Sequence, residues 1–242
     1  MTSDDIWRYA KVCRVANVMR PYPTFTQGPL QPRLQEITMR KPQSVDALEK
    51  LGNERLSRSF YMREFLYSET ANFHGIQNIP DNPDLALEVG RKLCEELLEP
   101  LNTTFGRVAI RSSFRSSDVN TFCNEHGYNC AKNESNFAGH IWDRLDADGL
   151  KGATACIALP WFTDRYEKGA DWRSLAYWIH DHLPYSELQF FPTLCAFNIS
   201  WHAKPKKTIR SFIAPTGYLL RESHAPSGCS EMYADFPALR HE

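Results

Sequence analysis

The stretch that most constrains this chain is Ser135 to Pro160, SNFAGHIWDRLDADGLKGATACIALP. Thr154 to Leu159 is a run of small and apolar residues, entered from Gly152 and closed by Pro160, and that pattern predicts a buried strand. Just ahead of it stand one histidine, His140, and three acids, Asp143, Asp146 and Asp148. A strand this apolar must be covered by other elements. Histidine and acids delivered to its mouth are the residue types from which metal and acid/base sites are made.

The rest of the chain supplies the cover. Asp84 to Leu101 carries the clearest helical pattern, with Leu85, Val89, Leu93, Leu97 and Leu98 as an apolar stripe opposite Glu88, Arg91, Lys92 and Glu95, and Pro100 where the helix should end. Val108 to Ile110 reads as a short strand, and Ser117 or Asp118 as the cap of a following helix. Asp171 to His182 is a second amphipathic helix, and strands are expected over Ser186 to Phe191, Cys195 to Trp201 and Thr208 to Ala214. This order predicts an α+β fold, an antiparallel sheet covered on one side by helices. Residues 1–59 are expected to form an N-terminal extension: a helix over 5–20, an extended Pro-rich segment over 21–42, and a helix capped by Ser44. Residues 60–214 are the main domain and 215–242 an irregular tail.

Composition excludes some classes of function. The 28 basic and 29 acidic side chains leave a net charge of -1, so no polyanion-binding surface, and no nucleic acid partner, is expected. No run approaches the ~18 apolar residues of a membrane span, so no membrane partner is expected either. The N-terminus, MTSDDIWRYAKVCRV, has acids where a signal peptide needs Lys or Arg. The 242 residues contain seven cysteines, an odd number placed mostly among apolar neighbours, which predicts reduced thiols and a cytoplasmic setting. Cys123 and Cys130 sit too far apart in sequence for a CxxC clip.

Five segments, taken in order, resemble the zinc D-Ala-D-Ala carboxypeptidase family, which shares its fold with the hedgehog signalling domain. They are Phe65 to Pro80, Leu85 to Phe105, the segment RSSFRSSDVN from Arg111 to Asn120 (similar to SxYRSxxxN), the central stretch (similar to SxHxxGxAxD), and Phe197-Asn-Ile-Ser-Trp201 (similar to WxHxS). The resemblance covers roughly residues 60 to 212. It implies a zinc ion held by His and Asp of the central motif and by a second His from the last strand, with a nearby Glu as general base. His140 matches the first His, but about ten extra residues, Ile141 to Lys151, separate it from Gly152. The Asp falls on Cys156, the second His on Asn198, and the Glu near Phe191 or Pro192. Catalytic zinc takes about three protein ligands and one open position, and an Asn amide is a weak substitute for imidazole. Without a carboxylate beside the metal, a bound water lacks its proton acceptor. The expectation is therefore a degenerate peptidase-like chain with no cofactor, zinc being admissible only if the ligands are rearranged.

The candidate residues each have a plain structural alternative. His140 and Asp143, three apart, read as an acid/base or metal pair, or as a loop histidine held by a carboxylate. Cys156 is a core thiol, or a nucleophile or soft ligand beside His140. Asp146 and Asp148 start like a calcium loop that no Glu closes, so a solvated turn is expected. Asn198, Ser200 and His202 alternate along one strand and share a face. The resemblance places Ser113, Arg115 and Trp201 beside the ligand; the Arg115 fork suits a carboxylate, or a salt bridge to Asp118 or Glu125. Three readings stay open. One is a binding protein whose cleft, around Arg115, His140, Asn198 and Trp201, holds a carboxylate-bearing small molecule or peptide. A second is a repurposed enzyme using His140 with Asp143 or Cys156. A third is a metallo-hydrolase rebuilt from His140, Asp143 or Cys156, and His202.

Overall fold

Asn82 begins the longest helical run: its side chain accepts from the Leu85 N–H, Pro83 occupies the first turn where no N–H is needed, and Arg91 and Lys92 close the last turn. The structure, a computed structural model, describes residues 39–128, 130–221 and 229–240. The expected helix over 5–20 and most of the extended segment lie outside the described residues. The compact unit that contains everything described here is Thr38–Glu242.

Its helices are α1 (Val45–Gly52), α2 (Met62–Leu66), α3 (Glu69–His74), α4 (Pro83–Leu93), α5 (Glu99–Phe105), α6 (Ser117–Glu125), α7 (Asn133–Asn136), α8 (Pro160–Glu167) and α9 (Trp172–His182). The strands are β1 (Ala109–Ser112), β2 (Gly152–Ala158), β3 (Glu187–Phe190), β4 (Phe197–His202), β5 (Thr208–Ser211) and β6 (Gly217–Leu220). Ser44 caps α1 as expected, whereas Ser116 rather than Ser117 or Asp118 caps α6. The helix that Pro100 was expected to end continues to Phe105. A π turn, Cys94–Leu98, joins α4 to α5, and the Glu99 N–H bonds the Cys94 carbonyl. Proline removes an N–H and crowds the carbonyl four residues back, and widening the preceding turn relieves both.

The fold is α+β with a six-stranded mixed sheet in the order β1-β2-β4-β3-β5-β6. The expectation of an antiparallel sheet needs correction, because β3 and β5 pair in parallel. Consecutive strands β4 and β5 run in opposite directions, but β3 lies between them, and short hydrogen bonds from Thr208 and Lys206 to Ser186 carry the chain past its start. One sheet face is buried: Ala153, Ala155 and Ile157 of β2, Phe197 and Ile199 of β4, and Leu188 and Phe190 of β3 pack with Leu93, Leu97 and Leu101 of the long helical run. Each such aliphatic or aromatic side chain contributes roughly 1.5–3 kcal/mol by leaving water. Leu51 of α1 and Leu56 join this core, and Met232, Phe236 and Leu239 pack onto it, so part of the expected extension and of the expected irregular tail belongs to the same unit. The segment after 215 also adds β6, which the sequence pattern did not signal.

The other sheet face carries a row of side chains across all six strands: Ser112, Cys156, Asn198, Gln189, Arg210 and Tyr218 are successive register partners. Gly152 fixes the start of β2 under the loop that bears His140. A Cβ there would stand 2.2 Å from the Ala138 carbonyl oxygen and 2.8 Å from His202 Cδ2. Both obstacles belong to the walls of the cleft described below, so Gly152→Ala is expected to destabilise at or above the upper end of the ~1–3 kcal/mol typical of overpacking. Denaturant unfolding of the variant checks this, and a midpoint within error of the wild type would remove the proposed close approach.

Candidate functional site

The loop 137–142 lies over β2 and is fastened at several points. Thr154 N–H bonds the Gly139 carbonyl at 3.0 Å, and the indole of fully buried Trp142 donates to the Thr154 carbonyl at 3.1 Å. The segment 113–116 is tied to the same loop, because Arg115 N–H bonds the His140 carbonyl at 2.8 Å. His140 Nδ1 is 2.8 Å from the Ser113 carbonyl oxygen, which can only accept, so Nδ1 carries the proton. Asn198 lies beside the ring on the cleft side and, after the Ser113 carbonyl, works against the lowering of its pKa. The Asn198 Nδ2 donates to Gln189 Oε1 at 3.2 Å. Burial first, and the Arg115 guanidinium second, push the imidazole from its ordinary 6.5 down to about 3. At neutral pH it is an uncharged ring held through Nδ1.

Two adjoining lobes open on this face and share Asn136, His140, Gln189 and Asn198. The larger, about 600 Å³, is also lined by Ser112, Arg115, Cys130, Cys156, Phe191 and Phe212. The Arg115 guanidinium bonds Cys130 Sγ at 3.1 Å and Ser112 Oγ at 3.3 Å. The anticipated salt bridge to Asp118 or Glu125 is not formed, and Arg115 has no carboxylate partner among the described residues. The smaller lobe, about 350 Å³, is lined by Glu134, Asp146, Asp148, Glu187, His202 and Lys206, with Lys206 paired to Glu187 and His202 to Asp146. Arg115 thus marks one end of the cleft, and the carboxylates of Glu134 and Asp148 mark the other.

Several candidates need correction. Asp143 does not face His140: its Oδ2 accepts from the N–H groups of Asp81 at 2.6 Å and Asn82 at 3.4 Å, ahead of α4, and burial raises its pKa. The acid/base pair of His140 and Asp143 therefore does not form. Trp201 points to the opposite sheet face from Asn198 and Ser200, as strand alternation requires, and its indole donates to Glu96 at 2.7 Å. Ser113 is buried and serves through its carbonyl, while its neighbour Ser112 reaches the cleft. Cys156 does line the larger lobe, but burial pushes its thiol up to about 11, which leaves it protonated and weakly nucleophilic. His202 has Nε2 on Asp146 Oδ2 at 3.1 Å and Nδ1 on the Lys204 backbone, so neither nitrogen is open to a metal.

The donors that stand where the resemblance implies zinc are His140, Cys156 and Asn198: a neutral imidazole bonded through Nδ1, a protonated thiol and an amide. This set does not fit a catalytic zinc centre. Among the described residues no group of three or more His, Cys, Asp or Glu is placed to hold a metal ion, and no helix is long and apolar enough to cross a membrane.

Residues missed in the sequence are Gln189, Asn136, Ser112, Cys130 and the acid–imidazole contact of Asp146, whose other oxygen accepts from the N–H groups of Asp148 and Leu150. Alternation along β3, which puts Glu187, Gln189 and Phe191 on one face, was the signal that would have found Gln189. In comparisons with protein-family models, curated proteins and solved structures, none matched this chain.

The lowered pKa of His140 sets a pH dependence. Below its unfolded value near 6.5 the unfolded chain takes up a proton that the folded chain refuses, so stability falls as pH drops through that value. By pH 4.5 this one group lowers stability by about 2–3 kcal/mol. His140→Gln removes the contribution. The stability gap between wild type and variant should therefore shrink by roughly that amount between pH 7 and 4.5. Parallel stability curves would mean that His140 is not buried as a neutral ring.

Proposed function

We propose that this protein binds a small molecule or peptide bearing a carboxylate, which Arg115 holds in the larger lobe, and that it does so without zinc peptidase chemistry. The observation that carries the reading is the half-buried guanidinium of Arg115, which faces an open lobe with only a serine hydroxyl and a cysteine sulfur as side-chain partners. A guanidinium fork matches a carboxylate in a bidentate pair, and such charge-assisted bonds are about twice as strong as neutral ones. Arg111 and Arg210 stand near the same lobe, also without a carboxylate partner among the described residues, and reinforce the positive potential. Glu134 and Asp148 at the other end favour a ligand whose remaining part is a hydrogen-bond donor or cation. Asn198 and Gln189, joined to each other between the two lobes, offer amide groups to a peptide-like middle.

Calorimetric titration with N-acyl amino acids and their amides tests the reading. The acids should bind and the amides should not, and Arg115→Gln should weaken the acid by roughly 10- to 100-fold, the range expected for a charge-assisted pair at about 1.5–3 kcal/mol. Equal affinity for acid and amide, or no effect of the substitution, contradicts it. A separate expectation concerns metal. Protein isolated without added zinc should carry well below one zinc per chain, and a chelator should leave its Tm unchanged. About one zinc per chain, lost in His140→Ala, would revive the rebuilt metallo-hydrolase.

A further inference from the structure

Arg115 does not stand alone in the larger lobe. Phe191 and Phe212 line the same cavity, their rings stacked with centroids 5.6 Å apart and an interplanar angle of 17°. Strand alternation explains why these rings are on the cleft side. Phe191 continues Glu187 and Gln189 just past β3, and Phe212 continues Thr208 and Arg210 just past β5. The parallel ladder runs on through the Phe212 N–H, which bonds the Phe190 carbonyl at 2.9 Å, so the backbone fixes the outer ring. That ring is 45% exposed. Beyond it the Arg210 guanidinium sits 5.1 Å from the Phe212 centroid and 5.8 Å from that of Tyr218, and Arg221 lies 4.4 Å from Tyr218. Rings and guanidinium groups thus follow one another outward from the rim of the cavity.

A phenylalanine with almost half its surface in water, stacked on a second ring at the rim of a 600 Å³ cavity, is a surface for another flat group. The same cavity is lined by the Arg115 guanidinium, which has no carboxylate partner among the described residues, and by Cys156, Asn198 and Gln189. Its volume lies within the roughly 300–1,000 Å³ of small-molecule sites and leaves room beyond a carboxylate for a large substituent. We infer that the ligand class is an aromatic carboxylate: a carboxyl group on Arg115 and a flat aromatic substituent on the Phe191–Phe212 stack, either as a peptide ending in an aromatic residue or as a free arene acid. The inference rests on the Arg115 reading given above and adds the group beside the carboxylate. It makes Phe212 a specificity-determining residue.

The test is isothermal titration of the full chain with N-acetylphenylalanine, N-acetylalanine, N-acetylphenylalaninamide and 3-phenylpropionate, repeated on Phe212→Ala and Phe212→Trp. N-acetylphenylalanine should bind about tenfold tighter than N-acetylalanine, in line with an added aromatic contact and its buried area. Phe212→Ala should bring that ratio to within about twofold, and Phe212→Trp should keep it. Because Phe212 is half exposed, its replacement does not empty the core, and the tryptophan variant guards against a general loss of structure. Binding of 3-phenylpropionate as tight as that of N-acetylphenylalanine assigns the site to arene acids; weaker binding assigns it to peptide ends, and either supports the aromatic class. Equal binding of the alanine and phenylalanine acids, insensitive to Phe212, overturns the aromatic class and leaves the carboxylate reading intact. Binding of the amide as tight as that of the acid overturns the carboxylate reading itself, and absence of binding by every acid overturns both.

Discussion

The structure of the cleft depends on one clasp. His140 donates from its ring to the Ser113 carbonyl and accepts through its own carbonyl from the Arg115 N–H, both at 2.8 Å. These two bonds lock the segment that carries Arg115 to the loop that carries His140. Thr154 and Trp142 then lock that loop to β2. Each bond contributes only about 1 kcal/mol net, but breaking one in a buried site leaves a polar group without water or partner, which costs more than the bond contributes. The clasp fixes the backbone from which Arg115 projects, and Cys130 and Ser112 hold its guanidinium at the lobe.

Asn198 completes the arrangement from the sheet. Where the resemblance implies a second imidazole, this chain has an amide that stands beside His140 in the cleft and bonds Gln189. A neutral imidazole, an amide and a protonated thiol side by side make a hydrogen-bonded lining and not a coordination site. A buried network of neutral groups is stable only when its members are satisfied, and here the protonation of the ring follows from its partners. The charged groups are displaced to the two ends. Arg115 lies at one, and Glu134 and Asp148, beside the paired Glu187–Lys206 and Asp146–His202, lie at the other, so the cleft has a direction as well as a shape.

Much of the scaffold was legible in the sequence because its signals are local. The cap at Ser44, the amphipathic run from Pro83, the apolar β2 and the helix ending at Leu183 were all read from residues close to one another. The parallel pairing of β3 with β5 was not, because strand order is a property of contacts between distant segments. The continuation of the helix through Pro100 required a π turn that no local pattern announces. The site divided along the same line. Alternation placed Asn198, Ser200 and His202 together, and applied consistently it would have excluded Trp201. Asp143 looked like the partner of His140 because three residues separate them, but they stand in a loop where helical spacing has no meaning, and the carboxylate turns to the N–H groups before α4.

His140 is a neutral ring, protonated on Nδ1 and bonded there to the Ser113 carbonyl, and so a support for the cleft and not a ligand or a base. Long-range ¹H–¹⁵N correlation of the histidine side chains, with His140 assigned by the His140→Gln variant, measures this directly. The account predicts nitrogen shifts of the Nδ1–H tautomer that stay constant from pH 7.5 to pH 5 and ignore one equivalent of zinc. A ring that titrates near 6.5, or whose Nε2 resonance moves on adding zinc, would contradict it and return the site to acid/base or metal chemistry.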